Sequence, residues 1–187
     1  MSTININREE AQKAYAALSA EERAAVEKVV PRRFLIPEDI SERVRTFNEA
    51  CEEIGKDHEY VRTYAATVLA IKERLDMQDV LSYLRLRVIV CALNEGWDSR
   101  DDMNETGFGP HYILLDKEEY EQLSAFDKAM CVELWKDVDG VPLHAKICVC
   151  KLCCGNALAL RTPELARYAG FQFAREYKCL LFRIQGF

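Results

Sequence analysis

Apolar residues recur every three or four positions through the first half of the chain, which is the spacing of one helix face. The recurring positions predict three amphipathic helices, near 38–54, 58–75 and 78–94. The third stretch also carries apolar residues on its other side, including Leu86 and Val90. We therefore expect the third helix to be central and buried on more than one face.

Capping signals and a helix breaker predict two further helices at the start of the chain. Asn7 followed by Glu10, and Ser19 followed by Glu22, have the spacing of a capping box. In that motif a side-chain oxygen accepts a backbone N–H of the first turn, and the carboxylate reaches back. Two short helices should begin there, and the second should end near Pro31, which has no N–H to donate.

Apolar and polar residues alternate in the second half of the chain, as they do in strands with one buried face. The clearest strand covers 143–150, and shorter strands are predicted at 112–115 and 132–135. One face of the long strand is predicted to be apolar, with Leu143, Ala145, Ile147 and Val149.

Turn residues predict how the chain continues after this strand. Gly155 and Asn156 predict a tight hairpin turn, after which residues 157–160 return antiparallel. Thr162 and Pro163 then predict the cap and the first position of a final helix. Its buried face is predicted to be Leu165, Ala169, Phe173, Tyr177 and Leu180.

The change from helical spacing to alternation near residue 110 predicts an α+β fold. We expect one domain over 1–187, with a mainly helical half at 8–95 and a sheet with its C-terminal helix at 111–182. The N-terminal helical layer should pack on a small antiparallel sheet, and the C-terminal helix should cover that sheet.

The composition, 49% apolar and 30% charged residues, is that of folded globular proteins. The N-terminus lacks the basic start and apolar run of a signal peptide. No apolar stretch approaches the roughly 18 residues that cross a bilayer. We expect a cytoplasmic protein with no membrane partner, in which most of the eight cysteines are thiols.

The net charge of −6 is unevenly distributed along the chain. Residues 92–140 carry 4 basic and 13 acidic side chains, whereas residues 141–187 carry 7 basic and 2 acidic ones. This asymmetry leaves two interpretations open: the two segments neutralise each other, or the basic segment binds an acidic partner. The first is favoured, because nucleic-acid binders are more often basic overall.

Two stretches, Ala92–Trp97 and Ala159–Phe173, resemble an uncharacterised family of small proteins from Bacteroidetes genomes and their phages. The similarity covers roughly 78–182 and includes an "ALNEGW" helix end and an "ELAxYAGxQF" helix. The departure is Lys146–Cys154, which is rich in cysteine where the family is polar. The resemblance implies a phage or mobile-element origin and this order of elements, and it implies no activity.

The cysteine-rich segment is the sharpest candidate for a metal site. Cys150 and Cys153 have the C-x-x-C spacing of half a zinc site, and His144 and Cys148 are candidates to complete the ligand set. However, there is no second C-x-x-C, and alternate side chains of an extended strand lie several Å apart. Packing as small apolar side chains is the favoured interpretation, zinc is the alternative, and we expect no cofactor.

Four basic residues, Arg161, Arg167, Arg175 and Lys178, lie among aromatic residues near the C-terminus. They favour nucleic-acid binding as an alternative function, because cations neutralise phosphates and aromatic rings stack on bases. The chain has no G-x-S-x-G, no P-loop and no recognisable pairing of its three histidines, so an enzyme is not indicated. We expect a non-enzymatic accessory module that binds a protein partner, with nucleic-acid binding as the first alternative and zinc binding as the second.

Overall fold

The computed structural model describes residues 7–30, 35–71, 77–101, 106–136, 142–153 and 155–182. The chain divides into two compact units, residues 1–43 and residues 44–187. The expectation of a single domain stays a prediction.

The first unit consists of short helices: α1 is Arg8–Ala17, α2 is Ala20–Glu27 and α3 is Ile40–Arg43. Both predicted N-terminal helices are confirmed. Ser19 caps α2 in a capping box, in which its N–H donates to the Glu22 carboxylate at 2.8 Å. The Tyr15 hydroxyl of α1 donates to the Glu27 carboxylate at the end of α2. The predicted stop at Pro31 lies outside the described residues.

The second unit begins with three helices: α4 is Phe47–Ile54, α5 is Glu59–Ile71 and α6 is Gln78–Leu93. The prediction of one continuous helix over 38–54 is wrong, because the chain leaves α3 after Arg43 and begins α4 at Phe47. Thr46 is the cause. Its side chain accepts the Glu49 N–H at 3.2 Å, which makes it the N-cap of a new helix.

Three antiparallel strands follow: β1 is Gly107–Leu115, β2 is Cys131–Lys136 and β3 is Pro142–Leu152. Their order is β1-β3-β2, and the fold class is α+β. In β1 and β3, Gly107 pairs with Leu152 and Leu115 pairs with His144. Between β1 and β2 lie two short helices, α7 at Lys117–Gln122 and α8 at Ala125–Ala129.

The predicted hairpin at Gly155-Asn156 is wrong. Residues 155–159 form turns, and Leu160 then pairs with Phe108 at the free side of β1, with both backbone hydrogen bonds at 2.8 Å. The predicted C-terminal helix is two helices, α9 at Pro163–Gln172 and α10 at Ala174–Phe182. The break falls at Phe173, whose φ of −116° leaves the helical range.

The predicted buried face of the C-terminal segment is largely confirmed: Leu165, Ala169, Phe173 and Tyr177 are buried. α9 packs on β1 and β3, and α10 packs on β2 and on α6. Gly170 lets α9 approach closely, since a Cβ there would lie 2.7 Å from the Cβ of Pro110. α10 thus contacts both the helix α6 and the strand β2, and the predicted packing of the helical layer on the sheet stays a prediction.

The third predicted helix, α6, is the centre of the second unit. It contacts α4, α5 and α10, and Leu86, Val88 and Ile89 are fully buried. The prediction of burial on more than one face is therefore confirmed. Among the helices within the described ranges, none is both long enough and apolar enough to span a membrane.

Candidate functional site

A cavity of about 300 Å³ opens in the second unit between the start of α5, the second half of α6 and two loops. One loop is 96–101 and follows α6, and the other is 156–159 and precedes α9. The polar side chains in its lining are His58, Glu59, Tyr60, Arg87, Cys91, Asn94, Asp98, Ser99, Arg100, Asp101 and Asn156. A cavity of this size is at the lower end of the range for small-molecule sites.

The end of α6 forms one wall because the chain reverses there. Glu95 has a φ of 51° and Gly96 a φ of 89°, and the Trp97 N–H donates to the Asn94 carbonyl at 3.0 Å. Only glycine adopts this left-handed conformation without strain, so Gly96 permits the turn. The helix predicted near 78–94 therefore ends close to the predicted residue, and the turn leads into the loop that lines the cavity.

Side chains from this wall hold the segment that was predicted to be a strand. The buried Asn94 amide donates to the Ala159 carbonyl at 2.9 Å, and its oxygen accepts the Arg161 N–H at 3.0 Å. The Ser99 hydroxyl donates to the Asn156 carbonyl at 2.7 Å. These hydrogen bonds satisfy backbone groups that a hairpin ladder would otherwise have satisfied, which explains why the hairpin does not form.

Arg87 is the most unusual residue of the cavity, because it is only 7% exposed and its charge has no ion pair within the described ranges. One guanidinium nitrogen donates to the Ala157 carbonyl at 2.7 Å, and the guanidinium carbon lies 4.3 Å from the centre of the Tyr60 ring. The stacked ring and the carbonyl fix its orientation, and its other N–H groups stay available on the cavity side.

At the mouth of the cavity, Arg100 forms hydrogen bonds with two neighbouring side chains. Its guanidinium donates to both Asp98 carboxylate oxygens, the closest contact being 2.6 Å, and to the Tyr60 hydroxyl at 2.5 Å. The hydrogen bond from Arg100 holds the pKa of Asp98 below its ordinary value. Asp98 and Arg100 therefore form an ion pair, whereas Arg87 makes no ion pair with a described residue and acts on Asp98 only by helping to lower its pKa from beyond ion-pair distance.

Cys91 and His58 also meet in the cavity, with Sγ and Nε2 3.9 Å apart. His58 Nδ1 accepts the Tyr60 N–H at 3.2 Å, so in the neutral ring the proton resides on Nε2 and points toward the sulfur. Burial raises the pKa of the Cys91 thiol; the positive charge of Arg87 opposes this rise, and the Asp98 and Glu59 carboxylates add to it. In this tautomer Nε2 presents a proton to the sulfur, which differs from the arrangement of a base that activates a thiol.

The four predicted metal ligands lie along β3 and just beyond it. His144 stacks on Tyr120 of α7, with ring centres 3.6 Å apart. The Cys148 position pairs with His111, and the Cys150 thiol donates to the Gly109 carbonyl at 3.6 Å. His144 and Cys148 are four positions apart, about 13 Å along a strand. Cys153 is exposed beyond the strand, and no three His, Cys, Asp or Glu side chains of the described ranges form a metal-binding group.

The four predicted nucleic-acid-binding residues differ in their surroundings. Arg161 pairs with Glu95 at 3.4 Å, and Lys178 is half-buried, so that its pKa is lowered. Arg167 on α9 and Arg175 on α10 are exposed. Arg161 is exposed as well, so Arg167 and Arg175 are the members of the set that are exposed and form no ion pair with a described residue.

Sequence reasoning missed the cavity, because its polar residues come from four separate segments. A signal was present at two positions: Arg85 and Arg87 interrupt the apolar stretch of the helix predicted to be central. A charged residue inside such a helix needs a partner, and is therefore a candidate for function. The two stretches of the Bacteroidetes and phage resemblance also meet here, through the hydrogen bonds of Asn94.

Compared with protein-family models, with curated proteins and with solved structures, the chain matches none of them. The family resemblance and the implied phage origin accordingly stay predictions.

Proposed function

We propose that the protein is a non-enzymatic binding module whose ligand carries an anionic group, a carboxylate or a phosphate, that pairs with Arg87 in the cavity. The observation that carries the proposal is the buried Arg87 guanidinium, 7% exposed and without an ion pair to any described residue. A buried charge is costly unless it is paired, so this arrangement favours an anion from outside the chain.

The geometry of Arg87 suits an anion of this kind. One side of the guanidinium is occupied by the Ala157 carbonyl, and one flat face is occupied by the Tyr60 ring. The N–H groups that remain lie in one plane and match the two oxygens of a carboxylate or phosphate. Because both neighbours already fix the guanidinium, little side-chain entropy is lost when the anion binds.

Binding is favoured over catalysis by the state of the cavity's nucleophile. Cys91 is a neutral thiol because burial raises its pKa, and His58 presents a protonated nitrogen to it. An enzyme that used this thiol would need the opposite arrangement, with a lowered thiol pKa or a free base beside the sulfur.

The test is a panel of small carboxylates and phosphates, measured by isothermal titration calorimetry on the wild type, Arg87→Met and Arg85→Met. Arg85 is the matched control, because it lies on the opposite side of α6 and has its own carboxylate partner, Glu176, at 2.8 Å. We expect saturable binding to the wild type and to Arg85→Met, and at least about a tenfold weaker affinity for Arg87→Met. Equal affinities for all three proteins contradict the proposal.

A second candidate is nucleic-acid binding through Arg167 and Arg175, which is favoured by their exposure on α9 and α10. Phosphate contacts release counterions, so the affinity would fall steeply with salt, and replacing both residues with serine would lower both the affinity and the salt slope. Filter binding of single- and double-stranded DNA and RNA at several salt concentrations tests this. A salt-independent signal that the double variant leaves unchanged excludes this candidate. The protein partner expected from the sequence stays a third proposal.

A further inference from the structure

The buried and the exposed parts of the cavity carry charges of opposite sign, and this difference restricts which ligands can bind. Arg87 is the deep, buried cation, whereas Glu59 and Asp101 line the same cavity and are exposed. Asp98 and Arg100 also line it and neutralise each other at 2.6 Å. Among the described lining residues, the charges that form no ion pair are thus positive at the buried Arg87 and negative at the exposed Glu59 and Asp101.

A ligand that carries only negative charge gains at Arg87 and loses at the mouth, because like charges repel. A dianionic phosphate is repelled most by Glu59 and Asp101, because it carries two negative charges. A ligand with one carboxylate and one ammonium group gains at both ends, if the carboxylate lies toward Arg87 and the ammonium toward the mouth.

The walls and the volume fit the same class of ligand. About 300 Å³ accommodates a molecule of the size of an amino acid with its bound water, and it is small for a nucleotide or a folded partner. Val90, Trp97 and Ala159 provide apolar side chains in the same lining. That lining suits a side chain of modest size.

From the buried Arg87, the exposed Glu59 and Asp101 and the shared cavity, we infer that the ligand is a small zwitterion of the α-amino acid type. This inference rests on the proposed function, because it assigns the anionic group to a carboxylate held by Arg87. It adds an ammonium group, recognised by the acidic mouth.

The closing experiment is chemical, so it needs no variant to fold. The standard L-amino acids are screened against the wild-type protein by thermal shift and calorimetry, and the tightest binder is then compared with its N-acetyl derivative, its amide and inorganic phosphate. We expect acetylation, which removes the ammonium, and amidation, which removes the carboxylate, each to weaken binding at least about tenfold. Phosphate should bind more weakly than the amino acid.

Two variants test the acidic mouth, with a matched control. Glu59→Gln and Asp101→Asn should each weaken the amino acid about two- to fivefold, a small effect because exposed charges are screened. Neither variant should weaken the N-acetyl derivative, which these two carboxylates repel. Asp57→Asn is the control, since Asp57 is also exposed, lies two residues from Glu59 and does not line the cavity. Its affinity for the amino acid should equal that of the wild type.

The outcomes separate this inference from the proposed function. If the N-acetyl derivative or phosphate binds as tightly as the amino acid, and Arg87→Met abolishes that binding, the inference is overturned and the proposed function stands. If none of these compounds binds to the wild type, or if Arg87→Met binds them as the wild type does, both are overturned.

Discussion

Arg85 and Arg87 leave the same helix, α6, on opposite sides, and each guanidinium lies over an aromatic ring. The Arg85 guanidinium carbon is 4.4 Å from the centre of Phe47, and that of Arg87 is 4.3 Å from the centre of Tyr60. The two environments then diverge. Arg85 pairs with Glu176 of α10 at 2.8 Å, whereas Arg87 donates to a backbone carbonyl and has no carboxylate partner among the described residues.

This difference distinguishes a structural arginine from a candidate binding arginine. On the Arg85 side, helix packing brings the countercharge from within the chain, and the pair joins α6 to α10. On the Arg87 side, two loops meet the helix, and the hydrogen bonds of their backbone leave a cavity in place of a countercharge. Four comparisons of variants test this contrast, in order of decreasing expected effect on stability.

The largest effect is expected from Asn94, which holds the Arg87 side together. Asn94→Leu removes the donor to Ala159 and the acceptor of the Arg161 N–H, and leaves two backbone groups without partners. We expect a loss of about 2–4 kcal/mol in the free energy of unfolding, measured by urea denaturation. Asn48→Leu, an exposed change on α4, is the control and should cost less than about 0.5 kcal/mol. A loss at Asn94 no larger than the control contradicts the role given to Asn94.

The second effect separates the two arginines directly. Arg85→Met leaves the Glu176 carboxylate, whose side chain is 12% exposed, without its partner, and we expect a loss of about 1–2 kcal/mol. Arg87→Met strands no carboxylate, and the removal of a buried charge offsets the lost hydrogen bond. Ligand-free Arg87→Met should therefore be more stable than Arg85→Met in the same urea titration. If Arg87→Met is instead the less stable variant, the contrast drawn between the two arginines is wrong.

The fold was largely predictable from the sequence, because its helices and strands follow apolar spacing that each segment carries by itself. Local competition caused the errors: Thr46 begins a new helix within 38–54, and Phe173 interrupts the last one. The hairpin failed for a different reason. Asn94, Ser99 and Arg87 hydrogen-bond to residues 156–159, and those partners lie more than 55 positions away in the chain, at separations of 65, 57 and 70.

The candidate site was not predictable for the same reason. The sequence drew attention to clustered residues, such as the cysteines of β3, whereas the cavity gathers isolated residues from α5, α6 and two loops. Residues that are close in the sequence can also lie far apart along an extended strand, as His144 and Cys148 do. The sequence pattern did not single out Arg87, because one cation within an apolar helix carries no motif.

The third effect is the pH dependence of the free energy of unfolding that is due to Asp98 at the cavity mouth. The pKa of Asp98 is lowered in the folded protein by the hydrogen bonds from Arg100, so Asp98 contributes stability above its unfolded pKa, which is about 4. That contribution is lost as the pH falls through the lower, folded pKa. It should amount to less than about 1 kcal/mol, because the side chains of Asp98 and Arg100 are 24% and 47% exposed.

Urea unfolding of the wild type and Asp98→Asn between about pH 3 and pH 7 measures this contribution. The wild type should be the more stable protein at neutral pH, and the two stabilities should converge at the acid end. A difference that grows as the pH falls contradicts the expected sign.

The smallest effect is expected at Arg161, where an arginine near the cavity has a partner but lies in solvent. Its side chain pairs with Glu95 at 3.4 Å, and the two side chains are 44% and 42% exposed. Water and salt screen such a pair, and ordering two long side chains costs entropy, so Arg161→Met should change the free energy of unfolding by no more than about 0.5 kcal/mol. The backbone N–H of Arg161 still donates to Asn94 in this variant, which separates the side chain from the structural hydrogen bond.

Urea unfolding at low and high salt checks the value. A loss comparable to that of Arg85→Met would show that an exposed ion pair stabilises this fold as much as a largely buried one, and the contrast between Arg85 and Arg87 could then not be attributed to burial.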